Sequence, residues 1–146
     1  MSDEPARRYF TVTEANAMIV DLERAFGRIL QMKAQVRTAY ARLEEAGFAP
    51  GGDDFDTAPA GAGADVINDL TTLKTLIDAL KVEVKALGDA GCQVKNMDEG
   101  IVDWFASRGD RDVLLCWKLG EKKIGYWHDA DAGFAGRRPI SELFDD

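Results

Sequence analysis

The chain has 146 residues, 46% of them hydrophobic and 30% charged, with two cysteines and one histidine. That is enough for one packed domain with a sizeable core, in a water-soluble balance. A formal net charge of -8 opposes nucleic acid and anionic membranes as partners, and two cysteines are too few for a disulfide framework. No apolar run approaches the length of a membrane span, and the opening MSDEPARRYF lacks the basic-then-apolar pattern of a secretory signal. A cytoplasmic, reducing location is therefore expected.

Thr11, Val12, Thr13 and Glu14 form a capping box, with Phe10 placed as a hydrophobic staple. An apolar repeat with alternating three- and four-residue steps follows: Ala15, Met18, Leu22, Ala25, Ile29, Met32, Val36, Ala39, Leu43, Ala46. This is the seam of a coiled-coil-like helix over residues 11–46, ended by Gly47. Residues 47–64, rich in Gly, Ala, Pro and Asp, read as a flexible connector. Asp53, Asp54 and Asp56 read there as turn residues rather than metal ligands. A second seam, Val66, Leu70, Leu73, Ile77, Leu80, Val84 and Leu87, predicts a helix over 65–90, stopped by Gly88 and Gly91. The two helices are expected to pair as a long antiparallel hairpin. Flanking residues such as Ile67 and Leu76 would be left to cover by the rest of the chain or by another copy, giving a homo-oligomer.

Over 91–146 the hydrophobic period falls to two, which predicts a small antiparallel sheet. Strands are expected at 92–95, 100–106, 112–119 and 123–128, with a turn at 107–111 and a tight hairpin turn at Gly120 and Glu121. Residues 129–139 read as loop, and Ser141 to Phe144 as a last helical turn. The fold class is α+β, a helical hairpin packed against a small sheet within one domain, 1–146.

The segments YFTVTEANAMI, GIVDWFA, LLCWKLGE, IGYWHD and AGFAGRRPI, in this order around a helical hairpin, resemble a bacterial family catalogued as domain of unknown function twenty-two-oh-three. The resemblance covers nearly the whole chain. It implies a small bacterial protein of this architecture and supplies no activity.

Residues 114–138 gather the chemically capable side chains. His128 is the single histidine, which excludes sites that need several imidazoles and reads first as a structural residue at a strand end. As a base it would use Asp129 or Asp131 as orienter; a serine triad would have to recruit Ser107 or Ser141, neither in a nucleophile elbow. Cys116 is a nucleophile candidate only if the hairpin loop has an odd residue count, which would put it on the face of His128. Gly120 and Glu121 argue for an even count, with His128 beside Leu115 and Trp117 and Cys116 a buried apolar residue. Residues 129–133 begin like a calcium loop but lack its later ligands, and a mixed divalent site of His128, Asp129, Asp131 and Glu121 is weighed and set aside. No metal or cofactor is expected. Gly133 and Gly136 could turn backbone N–H groups toward an anion held by Arg137 and Arg138, with Trp127 and His128 beside it; the competing reading pairs both arginines internally with acids such as Asp103, Asp129 or Glu142. Trp104, Trp117 and Trp127 read mainly as core.

The leading function is a binding or interaction protein that self-associates through its helices and takes a small anionic ligand, or a protein partner, at the loop after His128. The alternative is a small hydrolytic or transferase-type enzyme using His128, Asp129 or Asp131, and the Arg137–Arg138 pair, with Cys116 as a further catalytic candidate.

Overall fold

The computed structural model describes residues 7–143. The protein is α+β, and its chain divides into two compact units, Gly27–Lys85 and the combination of Met1–Phe26 with Ala86–Asp146. No helix among the described residues is long and apolar enough to cross a membrane. The last helical turn expected to end at Phe144 is a 3-10 turn over Ile140–Leu143; Phe144 itself lies outside the described residues.

The capping box forms as read. Thr11 Oγ1 accepts from the Glu14 N–H at 3.1 Å and Glu14 Oε1 accepts from the Thr11 N–H at 2.9 Å. It starts a short helix α1, Val12–Asn16, rather than the full helix expected from residue 11. The chain tightens at Met18, whose N–H donates to the carbonyl of Ala15, before α2 runs from Ile19 to Ala46. Asn16 supplies the reason: its Oδ1 accepts from the Ile124 N–H at 2.7 Å, so its side chain is committed to the sheet end of the fold. α3 spans Ala64–Asp89.

Within Gly27–Lys85 the two helices pair antiparallel. Arg28 bonds Glu83 and Arg42 bonds Asp69, so advancing along α2 retreats along α3 by the same number of residues. Ala39, Leu43, Leu70 and Leu73 form the buried cluster, and Val36, Val66 and Ile77 pack on it. These are seam residues, as the alternating spacing requires. Ile67 and Leu76, expected to be left open, are half-buried. α2 ends in a Schellman motif: Gly47 takes φ +80° and the Phe48 N–H reaches back to the Leu43 carbonyl at 2.9 Å. The 47–64 connector then buries more than its composition suggests. Phe48, Ala49 and Phe55 pack on the helix cluster, the Lys74 ammonium donates to the Phe55 carbonyl at 3.3 Å, and Lys81 pairs with Asp53 at 2.5 Å. Two phenylalanines, placed against the helices, offset the polarity of their neighbours.

In the other unit, five strands form one antiparallel sheet in chain order: β1 Gln93–Asn96, β2 Ile101–Arg108, β3 Arg111–Lys118, β4 Tyr126–Asp129 and β5 Arg138–Pro139. β5 falls inside the segment expected to be loop. Trp104, Trp117 and Trp127 are fully buried and share one face, where the Phe26 ring lies 6.3 Å from that of Trp117. The backbone of Phe10 donates to the Phe105 carbonyl at 2.8 Å, tying the N-terminal segment to β2.

Gly91 is a position where glycine is required. It ends α3 with φ +97°, and a Cβ there would lie 2.5 Å from the Phe10 ring. Phe10 is itself buried, so the ring cannot swing away. Gly91→Ala is expected to lower stability by about 2 kcal/mol or more, read as a shift in urea midpoint, whereas Gly27→Ala, with open space around it, should be neutral or stabilising.

Candidate functional site

The β3–β4 connection decides what the site contains. Leu114 pairs with His128, Leu115 with Trp127 and Cys116 with Tyr126, so even positions face even positions and the loop has an odd count. The tight two-residue turn expected at Gly120 and Glu121 is not formed. The turn closes one residue earlier, with the Glu121 N–H donating to the Lys118 carbonyl at 2.9 Å and Gly120 at φ +107°. The chain then detours so that Ile124 can be buried and its N–H captured by Asn16, and it rejoins the sheet only at Tyr126. Strand β4 is therefore shorter than expected, and His128 stands on the face of Cys116, opposite Trp117 and Trp127.

On that face Asp103, the register partner of Cys116, completes a buried polar group. Asp103 and His128 are each 2% exposed and Cys116 is fully enclosed. His128 Nε2 lies 2.9 Å from Asp103 Oδ2, and Nδ1 lies 2.8 Å from the Asp129 carbonyl. That carbonyl is aimed by a turn in which it also accepts from the Ala132 N–H at 3.0 Å. A carbonyl oxygen can only accept, so Nδ1 is the donor in that contact, and Nε2 and the Asp103 carboxyl group share the other hydrogen bond. Asp103 Oδ1 has no hydrogen-bond partner among the described residues. Burial, and then the neighbouring Asp103 carboxylate, push the Cys116 thiol up to about 12. It is a thiol at neutral pH and a poor nucleophile.

Asp103 and His128 lie at the floor of a cleft of about 410 Å³, with Leu114 and Ile101 beside them. Lys95, Asn96 and Glu99 form one wall, and Ala130, Ala132, Gly133 and Phe134 the other. Asn96 Oδ1 accepts from the Glu99 N–H at 2.9 Å, which holds the first wall in a turn.

The remaining expected site residues go elsewhere. Asp129 is ion-paired with Arg111 and Asp131 is exposed, so neither carboxylate orients His128. Glu121 is engaged by Arg137 through both oxygens, at 2.8 and 2.6 Å. The four-residue divalent site weighed from the sequence is thus not assembled. Arg137 also stacks on Tyr126 and Phe134, 3.9 and 4.5 Å from the ring centroids. Arg138 bonds Glu142 at 2.9 Å and covers the Trp127 ring. The backbone around Gly133 and Gly136 closes on itself: Gly136 N–H donates to the Gly133 carbonyl and Arg137 N–H to that of Phe134. The expected anion cradle is replaced by internal pairing, for Arg138 with Glu142 as the competing reading had it and for Arg137 with Glu121. Trp127 sits on the opposite face, its indole N–H donating to the Pro139 carbonyl at 3.1 Å. Of the expected ligand-contacting residues, His128 and Gly133 line the cleft.

Asp103 was missed as a site residue, although one signal for it is visible. It is a lone acid inside the apolar run Ile101, Val102, Trp104, Phe105, and a charge in the middle of a buried strand needs a partner. Lys95, Asn96 and Glu99 carry no such mark; only the turn after β1 brings them over the sheet.

The family described as Uncharacterized conserved protein (DUF2203) matches residues 8–140. No curated protein and no solved structure matches the chain.

Proposed function

The chain belongs to this family of uncharacterized conserved proteins, and from that premise we propose that it is a binding protein that takes a small polar ligand in the cleft above Asp103 and His128. The observation that carries the reading is a concave site of about 410 Å³ floored by two buried ionisable side chains, the arrangement in which small-molecule sites place their few orienting polar groups. The same geometry argues against the alternative of general-base or cysteine catalysis. Both nitrogens of His128 are engaged by oxygens, leaving no lone pair for a substrate proton, and Cys116 is held as a thiol. The ligand enters beside the loop after His128, but its contacts come from the cleft floor and the Lys95–Glu99 wall rather than from Arg137 and Arg138.

A thermal-shift screen with nucleotides, phosphorylated metabolites, amino acids and metal ions tests this, run in parallel on wild type and Ala130→Trp. Ala130 is an exposed wall residue, so a bulky ring there should obstruct the cleft without disturbing the core. A ligand present at about 100 times its Kd stabilises by about 2.7 kcal/mol, or about 8 °C in Tm for a chain of this size. The expected result is such a shift in wild type and its loss in the variant. A screen without any shift, or a shift equal in both proteins, defeats the cleft as the site.

A further inference from the structure

Three different metal-ligand chemistries meet at the base of the cleft: the Asp103 carboxylate and the His128 imidazole line it, and the Cys116 thiol is buried against them. One ligand atom from each of Asp103, Cys116 and His128 lies within 4.8 Å of the other two. We propose that these three residues form a site for a zinc-type divalent transition-metal ion, with the remaining coordination position open to the cleft. The inference rests on the reading of the cleft as a binding site and names what lies at its floor.

Four observations support it. First, Asp103 Oδ1 is a buried oxygen without a hydrogen-bond partner among the described residues, on a side chain that lines the cleft. An acceptor in that state is costly unless a donor or a cation meets it. Second, His128 Nδ1 is fixed on the Asp129 carbonyl at 2.8 Å, the outer hydrogen bond by which metal-binding histidines are held, and this leaves Nε2 as the ligating atom. Third, the charges close. A dication, one carboxylate and one thiolate sum to zero, which suits a site where Asp103 and His128 are each 2% exposed and the adjoining Arg137–Glu121 pair is itself neutral. Fourth, the donor set is mixed S, N and O, which selects zinc or cobalt and disfavours calcium and magnesium.

Binding would exchange two protons for the ion. The Cys116 S–H proton and the proton between Nε2 and Asp103 leave to solvent, and Sγ, Nε2 and a carboxylate oxygen each donate an electron pair to the metal. Bond lengths of about 2.0 Å to nitrogen and oxygen and about 2.3 Å to sulfur set ligand atoms roughly 3.3–3.6 Å apart in a tetrahedral site, inside the 4.8 Å within which the three now lie. Three protein ligands leave a fourth position for water or for a donor atom of the cleft's ligand.

The test is cobalt(II) added to chelator-treated full-length protein, followed by zinc competition. The expected result is a thiolate-to-cobalt charge-transfer band in the near ultraviolet. It should appear in wild type and Cys92→Ser, be absent in Cys116→Ser, and be bleached by zinc, with zinc affinity falling about 100-fold or more in Cys116→Ser. Cys92 is the control because it is the other buried free thiol. X-ray absorption on the zinc-loaded wild type needs no variant and should show one sulfur neighbour among nitrogen and oxygen. Absence of the band in wild type, its survival in Cys116→Ser, or a sulfur count of zero or two overturns the inference. Failure of the metal site is separable from failure of the cleft: chelator-treated protein that still responds to an organic ligand, with the response lost in Ala130→Trp, keeps the cleft and discards the ion.

Discussion

Leu73→Asp is expected to unfold the helical unit Gly27–Lys85. Leu73 is 1% exposed and packs in the cluster of Ala39, Leu43 and Leu70, with Phe48 and Phe55 closing on it from the connector. Truncating such a leucine to Ala costs about 3 kcal/mol in transfer and cavity terms. An aspartate adds the cost of a carboxylate placed among apolar groups with nothing to pair it, several kcal/mol more. A total of about 5 kcal/mol or above rivals the whole stability of a small protein. Circular dichroism should show lost helical signal at 25 °C, or a urea midpoint far below wild type, with Leu73→Ala in between. An unchanged midpoint for Leu73→Asp would refute the antiparallel packing of the two seams. Ile29→Asp, at another fully buried seam position, should behave the same way.

His128→Ala is expected to destabilise the sheet strongly. It takes His128 Nε2 from Asp103 Oδ2 while Oδ1 has no partner already, leaving the enclosed carboxyl group with the Cys116 thiol as its polar neighbour. Leaving a buried polar group without its hydrogen-bond partner costs about 1–3 kcal/mol, and more where the group is charged. Replacing both, as Asp103→Leu with His128→Leu, should recover most of that loss, since two apolar groups leave nothing unsatisfied. Denaturation of Asp103→Leu, His128→Leu and the double, all in chelator, gives the coupling between them directly. Additive losses in the double would mean that the 2.9 Å contact contributes nothing to stability and that each side chain is held by other parts of its surroundings.

The cycle also bears on the cleft. A pair retained at a stability cost that two leucines would avoid is kept for what it binds, whereas a pair that stabilises strongly needs no ligand to account for it. If the double variant proves as stable as wild type and loses the cobalt band, both results follow from one arrangement of Asp103, Cys116 and His128.

What was legible in the sequence is what depends on neighbours along the chain. The capping box at Thr11, the seams of α2 and α3, the stops at Gly47 and Gly91 and the change to a two-residue period after Gly91 are all local patterns, and each appears in the structure, whereas Gly88, also read as a stop, lies inside α3. The three tryptophans were readable as core for the same reason, since strand alternation places them on one face. The site was not readable, because it depends on the parity of a loop. Gly120 and Glu121 are good turn residues, but the turn closes earlier and the loop runs on because Ile124 is drawn inward and its N–H is taken by Asn16, over a hundred positions away in the chain. That one long-range hydrogen bond accompanies the odd residue count that places His128 beside Cys116 and Asp103 instead of beside Trp117. The arginine pair shows the same limit. Its composition is that of an anion site, and only the fold, by bringing Glu121 to Arg137 and Glu142 to Arg138, decided that those charges are spent within the protein. Helix and strand periods are set by backbone geometry and survive without a partner; which side chains meet across a sheet is set by register, and register is a property of the whole fold.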